Sequence, residues 1–200
     1  MNSNRIETNK KILVINGHPS KESFCFALLQ AYKQGAQSTG AEVREIHVGG
    51  LNFNPNLAHG YRQITELEKD LQKAQESITW AEHLVFVYPT WWGTMPALLK
   101  GFIDRTFLPG FAFKYRDNSL WWDRLLKGRS ARLIVTMDAP VWYYWLAYGR
   151  PGHNAMKKAI LEFCGIKPVK ITSFGSVKRS NDKQRVRWLD KVRQLGVELR

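Results

Sequence analysis

Short runs of β-branched and aromatic residues alternate with longer segments of helical periodicity along this 200-residue chain, and that alternation restricts the fold more than any single motif does. KILVIN at 11–16, the run at 43–48, HLVFVY at 83–88, ARLIVT at 131–136 and the run at 168–173 read as strands. Their continuous apolar character suits strands covered on both faces, as in a parallel sheet. Ser23 stands as N-cap before a segment that brings Phe24, Ala27, Leu28, Ala31 and Tyr32 near one face and stops at Gly35 or Gly40. After an aperiodic connection at 49–62, Thr65 and Glu68 have capping-box spacing, and Ile64, Leu67, Leu71, Ala74 and Ile78 recur at helical intervals. Further helices are expected at 96–107, with Pro96 at its start, at 154–163, stopped by Gly165, and at 182–195. Residues 108–130 read as irregular apart from an extended piece at 110–115, and 137–152 reads as a loop. The pattern predicts an α/β fold, a doubly wound five-stranded parallel sheet with helices on both faces. Residues 11–200 form one domain in this reading, and 1–10 a flexible N-terminal tail.

Several classes of protein are excluded. Apolar runs such as 84–88 and 133–136 are far shorter than the roughly 20 residues of a membrane-spanning helix. The opening MNSNRIETNK lacks the apolar core of a secretory signal, so the cytoplasm is the expected location. Cys25 and Cys164 have neither zinc-ligand spacing nor disulfide density and read as small buried thiols. The formal charge is +13 and uneven: residues 1–100 hold 10 Lys/Arg against 9 Asp/Glu, residues 101–200 hold 20 against 8. That asymmetry suits a phosphorylated cofactor or an anionic surface. With no basic run of five, zinc finger or RNP-like motif, dedicated nucleic-acid binding is not expected.

In a doubly wound sheet the ligand lies beyond the carboxyl ends of the strands, which directs attention to the loops after strands one, three and four. The first, 17–22, runs straight into a helix. Gly17 allows a tight turn, His18, Ser20 and Ser23 add donors, and the helix start favours an anion; the plainer reading is an N-cap and a surface histidine. Neither GxGxxG nor GxxxxGK[ST] occurs. The second loop, PTWWGTMP, sets Trp91 and Trp92 between Pro89 and Pro96, with Gly93 before the helix. Such a wall suits a flat heteroaromatic ring, or else a core or subunit contact. The third carries five aromatic residues between Trp142 and Tyr148, too many for one small core, as well as Asp138, a lone carboxylate better suited to capping than to metal. A phosphate-accepting helix start beside two aromatic, amide-rich loops describes a flavin mononucleotide pocket.

The order GHPSKESF, YPTWWGTMPALLKGFIDRTFLPGFAF, TMDAP and FCGIKPV resembles the flavodoxin-like NAD(P)H:quinone oxidoreductases, a group that includes cytoplasmic ancillary subunits of potassium-efflux systems. The resemblance spans about residues 10–195. It implies strand order 2-1-3-4-5, a homodimer with the flavin at the subunit interface, and ping-pong hydride transfer from NADPH or NADH to a quinone or another aromatic acceptor. By position, His18, Ser23, Phe24 and Cys25 fall on the phosphate side, with Cys25, where the family often has Asn, limited to its backbone amide. Pro89, Thr90, Trp91, Trp92 and Gly93 fall along the isoalloxazine, and Thr136, Met137, Asp138 and Ala139 near its pyrimidine edge. Tyr144 aligns with a tyrosine that stabilises charge on the reduced flavin, and Arg150 or His153 stands where the animal enzymes place a histidine. Their long C-terminal extension has no counterpart, which favours FMN over FAD. The basic second half favours NADPH without nominating a residue. The alternative implied is an ancillary subunit making peripheral contact with a membrane transporter.

Overall fold

The computed structural model describes residues 9–63 and 65–199, so most of the expected tail, and Ile64, lie outside the described residues. In chain order the elements are β1 (Lys11–Asn16), α1 (Phe24–Gln37), β2 (Glu42–His47), α2 (Lys69–Trp80), β3 (His83–Pro89), α3 (Ala97–Thr106), β4 (Phe113–Tyr115), β5 (Trp122–Arg124), β6 (Ser130–Thr136), α4 (Val141–Leu146), α5 (Pro151–Asn154), β7 (Val169–Phe174) and α6 (Asp182–Val197). Beyond α5 the helix continues with π winding over Ala155–Glu162. β2, β1, β3, β6 and β7 pair in that order, all parallel. With the antiparallel β4–β5 hairpin set aside, this is the expected order 2-1-3-4-5.

Alternation along the strands divides the core between the two sheet faces. Leu13, Ile15, Leu84, Phe86, Leu133 and Val135 meet Leu71 and Ile78 of α2 and Leu99 and Phe102 of α3. Ile12, Val14, Val85, Val87 and Ile134 meet Leu28 and Tyr32 of α1 and Val192 of α6. Burying each large apolar side chain contributes about 1.5–3 kcal/mol. Among the described residues no helix is long and apolar enough to cross a membrane.

Three expectations need correction. The second helix starts at Lys69, not at the Thr65 capping box, and Glu68 makes no side-chain cap. Its carboxylate instead accepts from Arg105 Nη2 at 2.9 Å and from the Asn54 N–H at 3.0 Å, and the 1% exposed Arg105 outweighs a cap that water could replace. The region expected to be irregular holds a second strand, β5, because Trp122 stacks on Phe163 at 4.4 Å and donates Nε1–H to the Phe163 carbonyl at 2.9 Å. The expected loop at 137–152 contains α4 and the start of α5. α4 has no readable periodicity because only Tyr144 of its six residues is buried, and α5 begins at Pro151, which suits a first helical turn.

Candidate active site

β1 ends in Asn16, fully buried, whose Oδ1 accepts the His18 N–H at 3.1 Å. Gly17 donates to the Val87 carbonyl at 2.8 Å, and a Cβ there would lie 2.5 Å from Leu99 Cδ2, so glycine is what lets the chain turn against α3. His18 Nδ1 lies 3.0 Å from the Ser20 nitrogen and 3.2 Å from the Ser20 carbonyl oxygen, so the ring is held against this turn. Burial holds its pKa below the usual histidine value. Ser20 Oγ accepts the Glu22 N–H at 3.0 Å, and Ser23 Oγ donates to the Ser20 carbonyl at 2.9 Å and accepts from Phe26 at 3.3 Å. The N–H groups of Phe24 and Cys25 therefore open α1 without a carbonyl acceptor among the described residues, which is the usual state of a helix's first turn.

The loop after β3 is fixed at both ends. Thr90 donates to the Thr136 carbonyl at 2.7 Å, and Trp91 and Thr94 exchange backbone hydrogen bonds at 2.8 and 3.0 Å. Trp92 (φ 50°) and Gly93 (φ 77°) both occupy the left-handed region, as a tight two-residue reversal requires. That conformation is routine for glycine but uncommon for a bulky residue, and it leaves the Trp92 ring fully in solvent. Behind the turn, Tyr144 donates its hydroxyl to the Gly93 carbonyl at 2.9 Å and accepts the Gly152 N–H at 2.9 Å. Burial raises the pKa of that hydroxyl and so keeps it a donor. His153 lies edge-on to the Tyr144 ring at 5.0 Å, and burial, then the Arg150 charge, pushes its pKa down to about 4.

After β6, Met137 donates to the Phe174 carbonyl at 2.9 Å, and Asp138 Oδ1 accepts the Lys178 N–H at 3.0 Å, tying this loop to the one after β7. The buried Thr136 hydroxyl lies 3.2 Å from Cys25 Sγ. Burial pushes the Cys25 thiol up to about 12, so it is a hydrogen-bonding packing group rather than a nucleophile.

His18, Ser23, Phe24, Cys25, Pro89, Thr90, Trp91, Thr136, Met137 and Asp138 converge on one cleft of about 190 Å³ at the carboxyl end of the sheet. Ser20, Trp92, Gly93, Ala139 and Tyr144 do not line it. Ser20 shapes the first turn, Trp92 projects beyond the rim, and Tyr144 stands behind the tryptophan turn. Val177 completes the lining and was not anticipated, since it follows β7 in a segment without a motif. Its one available signal was position, beyond a strand's carboxyl end.

The model of the flavodoxin-like fold family matches residues 10–195. The chain belongs to that family. Among relatives, an uncharacterised NAD(P)H oxidoreductase of Haemophilus influenzae is 29% identical over 187 residues, covering 91% of this chain and 92% of its own. Smu.1420 of Streptococcus mutans superposes with a TM-score of 0.81 at 32% identity, over 94% of this chain and 98% of that one. An NAD(P)H:quinone oxidoreductase from Methanothermobacter marburgensis shares the fold with a TM-score of 0.79 at 24% identity, over 96% and 98% of the two chains. The family match spans the five-stranded sheet and every loop that contributes to the cleft.

Proposed function

We propose that the protein is a flavin-dependent NAD(P)H dehydrogenase that reduces quinones or related aromatic acceptors by two electrons. The observation that carries this reading is the convergence of a helix start with open N–H groups, the half-exposed Trp91 and the Thr136–Asp138 backbone on a single cleft. The family and the NAD(P)H-named relatives support the same chemistry. Nothing in the fold or in these relatives favours the transport-subunit alternative.

The donor set fits a flavin. The Phe24 and Cys25 N–H groups and the Ser23 hydroxyl would hold its phosphate at the positive end of α1. Trp91, set 5.6 Å from the His18 ring, would flank the isoalloxazine, and the Thr136–Asp138 backbone would meet its polar edge. FMN is preferred to FAD, because this arrangement provides for a single phosphate. When bound, flavin supplies a hydride acceptor for reduced nicotinamide and a hydride donor for the quinone. The residues of the chain position that ring and limit water around it. A cleft of 190 Å³ is smaller than one that encloses a drug-sized molecule, so it leaves one ring face open for each planar substrate in turn. Tyr144 acts on this arrangement through Gly93, by fixing the turn that carries both tryptophans.

Trp92, Trp142, Trp145 and Leu146 are all more than half exposed around this end of the sheet. Exposed aromatic surface of this extent supports a homodimer whose partner covers part of it. The test is an absorption spectrum of the purified protein, chromatographic identification of the released flavin, and anaerobic addition of NADPH and NADH. Flavin bands that bleach and return on adding a quinone are expected. Failure of both FMN and FAD to bind on reconstitution would overturn the reading.

A further inference from the structure

A second cavity lies along β7, one of the two edge strands of the sheet, walled by α4 and α5. It measures about 720 Å³ against about 190 Å³ for the first. Five of its lining residues, Arg132, Arg150, Lys157, Lys158 and Lys170, carry permanent positive charge, and none carries a carboxylate. So many like charges around one cavity repel one another and attract an anion. The Lys157 ammonium lies a long 4.0 Å from the Glu162 carboxylate, which stands outside the lining.

The lining is ordered by neighbouring groups. Arg132, 5% exposed, donates Nη1–H to Thr172 Oγ1 at 2.7 Å, so a charge is fixed at the wall. The Arg150 guanidinium sits 4.0 Å over the Trp145 ring, and its backbone is left-handed (φ 58°, ψ 48°), which turns the chain abruptly into α5. Trp145 is 52% exposed and offers flat surface for a base beside these charges. His153 Nε2 and Ser173 Oγ, 3.3 Å apart, add neutral hydrogen-bonding groups. Cations, polar groups and one large ring together suit a phosphorylated nucleoside.

Position connects the two cavities. Met137 and Asp138 line the first and Val141 the second, and the three residues from Asp138 to Val141 can span no more than about 11 Å. One dinucleotide can therefore reach both. We propose that the cavity beside β7 binds the adenosine 2′-phosphate of NADPH, with Arg150, Lys158 and Lys170 as its ligands, and that it selects NADPH over NADH. The proposal rests on the NAD(P)H dehydrogenase reading given above. NADH has a hydroxyl where NADPH has this phosphate, so only NADPH gains from the cluster.

The test pairs equilibrium binding with kinetics. Calorimetry on the flavin-loaded protein compares 2′,5′-ADP with 5′-AMP, and steady-state assays compare NADPH with NADH, for the parent and for Lys158→Gln/Lys170→Gln. Both lysines are exposed, and matching thermal melts would establish that the variant is folded. The expected result is 2′,5′-ADP binding about tenfold tighter than 5′-AMP, with that preference lost in the variant and its NADPH-to-NADH ratio of kcat/KM falling about tenfold. Equal binding of the two nucleotides, or an unchanged ratio, would overturn the proposal. If neither coenzyme bleached the flavin, the dehydrogenase reading would fall, while the calorimetric comparison would still decide whether this cavity recognises a 2′-phosphate.

Discussion

Burial sets the protonation of two histidines, and with it the protein's response to acid. His83 is 3% exposed with Nδ1 2.7 Å from Ser130 Oγ, and burial, with the Lys10, Arg132 and Lys170 charges, pushes its pKa down to about 3. His153 is pushed to about 4. An unfolded histidine titrates near 6.5, so below that pH the unfolded chain takes up protons that the folded chain excludes. The stabilisation is full above pH ~6.5 and is lost progressively as the pH falls toward the two folded values. The urea midpoint should therefore drop between about pH 7 and pH 4, and His83→Gln should flatten that slope; a midpoint independent of pH would show freely titrating rings. Burial makes a parallel prediction for sulfur. Cys25 and Cys164 are both 2% exposed and both pushed up to about 12, so a thiol reagent should find neither in the folded protein and both after denaturation. Tyr144→Phe removes the hydroxyl between Gly93 and Gly152. We expect it to slow flavin reduction about tenfold while leaving flavin bound, since it loosens a wall and not the phosphate seat. An unchanged stopped-flow rate would remove Tyr144 from the mechanism. The cleft residues were legible because Gly17 and Pro89 mark the strand ends in sequence. Val177 was not, because Asp138 and Lys178 bring its loop to the site by a contact between residues far apart in the chain.

Elements could be located from sequence where one face of a segment is buried, and their boundaries could not where a distant partner competes. The apolar rows of β1 and β3 announced themselves, whereas the start of α2 depended on Arg105, 37 residues beyond Glu68. Gly35 illustrates the same limit. Either Gly35 or Gly40 reads as the helix stop from sequence, yet α1 runs through Gly35 and ends at Gln37, just ahead of Gly40 (φ 84°). What Gly35 supplies is space, since a Cβ there would collide with the Arg193 carbonyl of α6. Gly196 of α6 faces the Tyr32 carbonyl in the same manner, so the two glycines let the two backbones approach. Neither has a positive φ, and what demands glycine is space rather than conformation. Gly35→Ala and Gly196→Ala should each destabilise the protein by about 3 kcal/mol, through forced separation of α1 from α6. Denaturant unfolding measures this directly. A loss below about 0.5 kcal/mol would mean that the helices part at little cost.

For the whole molecule, the alternation of strand and helix conveyed the topology, while the mode of association remained hidden. Exposed aromatic residues are equally suited to a ligand or a second copy, and the sequence does not distinguish them. Charge gives a way to tell what a dimer contact is made of. Each chain carries a formal +13, with most of it in the second half, so two copies repel at long range. A contact built from Trp92, Trp142 and their exposed neighbours gains from burial, which salt does not screen, and is opposed by a repulsion that salt does screen. Sedimentation equilibrium should therefore find a species of twice the 23.1 kDa chain mass whose dissociation constant falls as ionic strength rises from about 0.02 to 0.2 M. An interface held by ion pairs would weaken over the same range. A dimer that salt dissociates would thus place charges, not aromatic rings, between the subunits, and a chain that stays monomeric at every salt concentration would leave the tryptophan rim to the substrates alone.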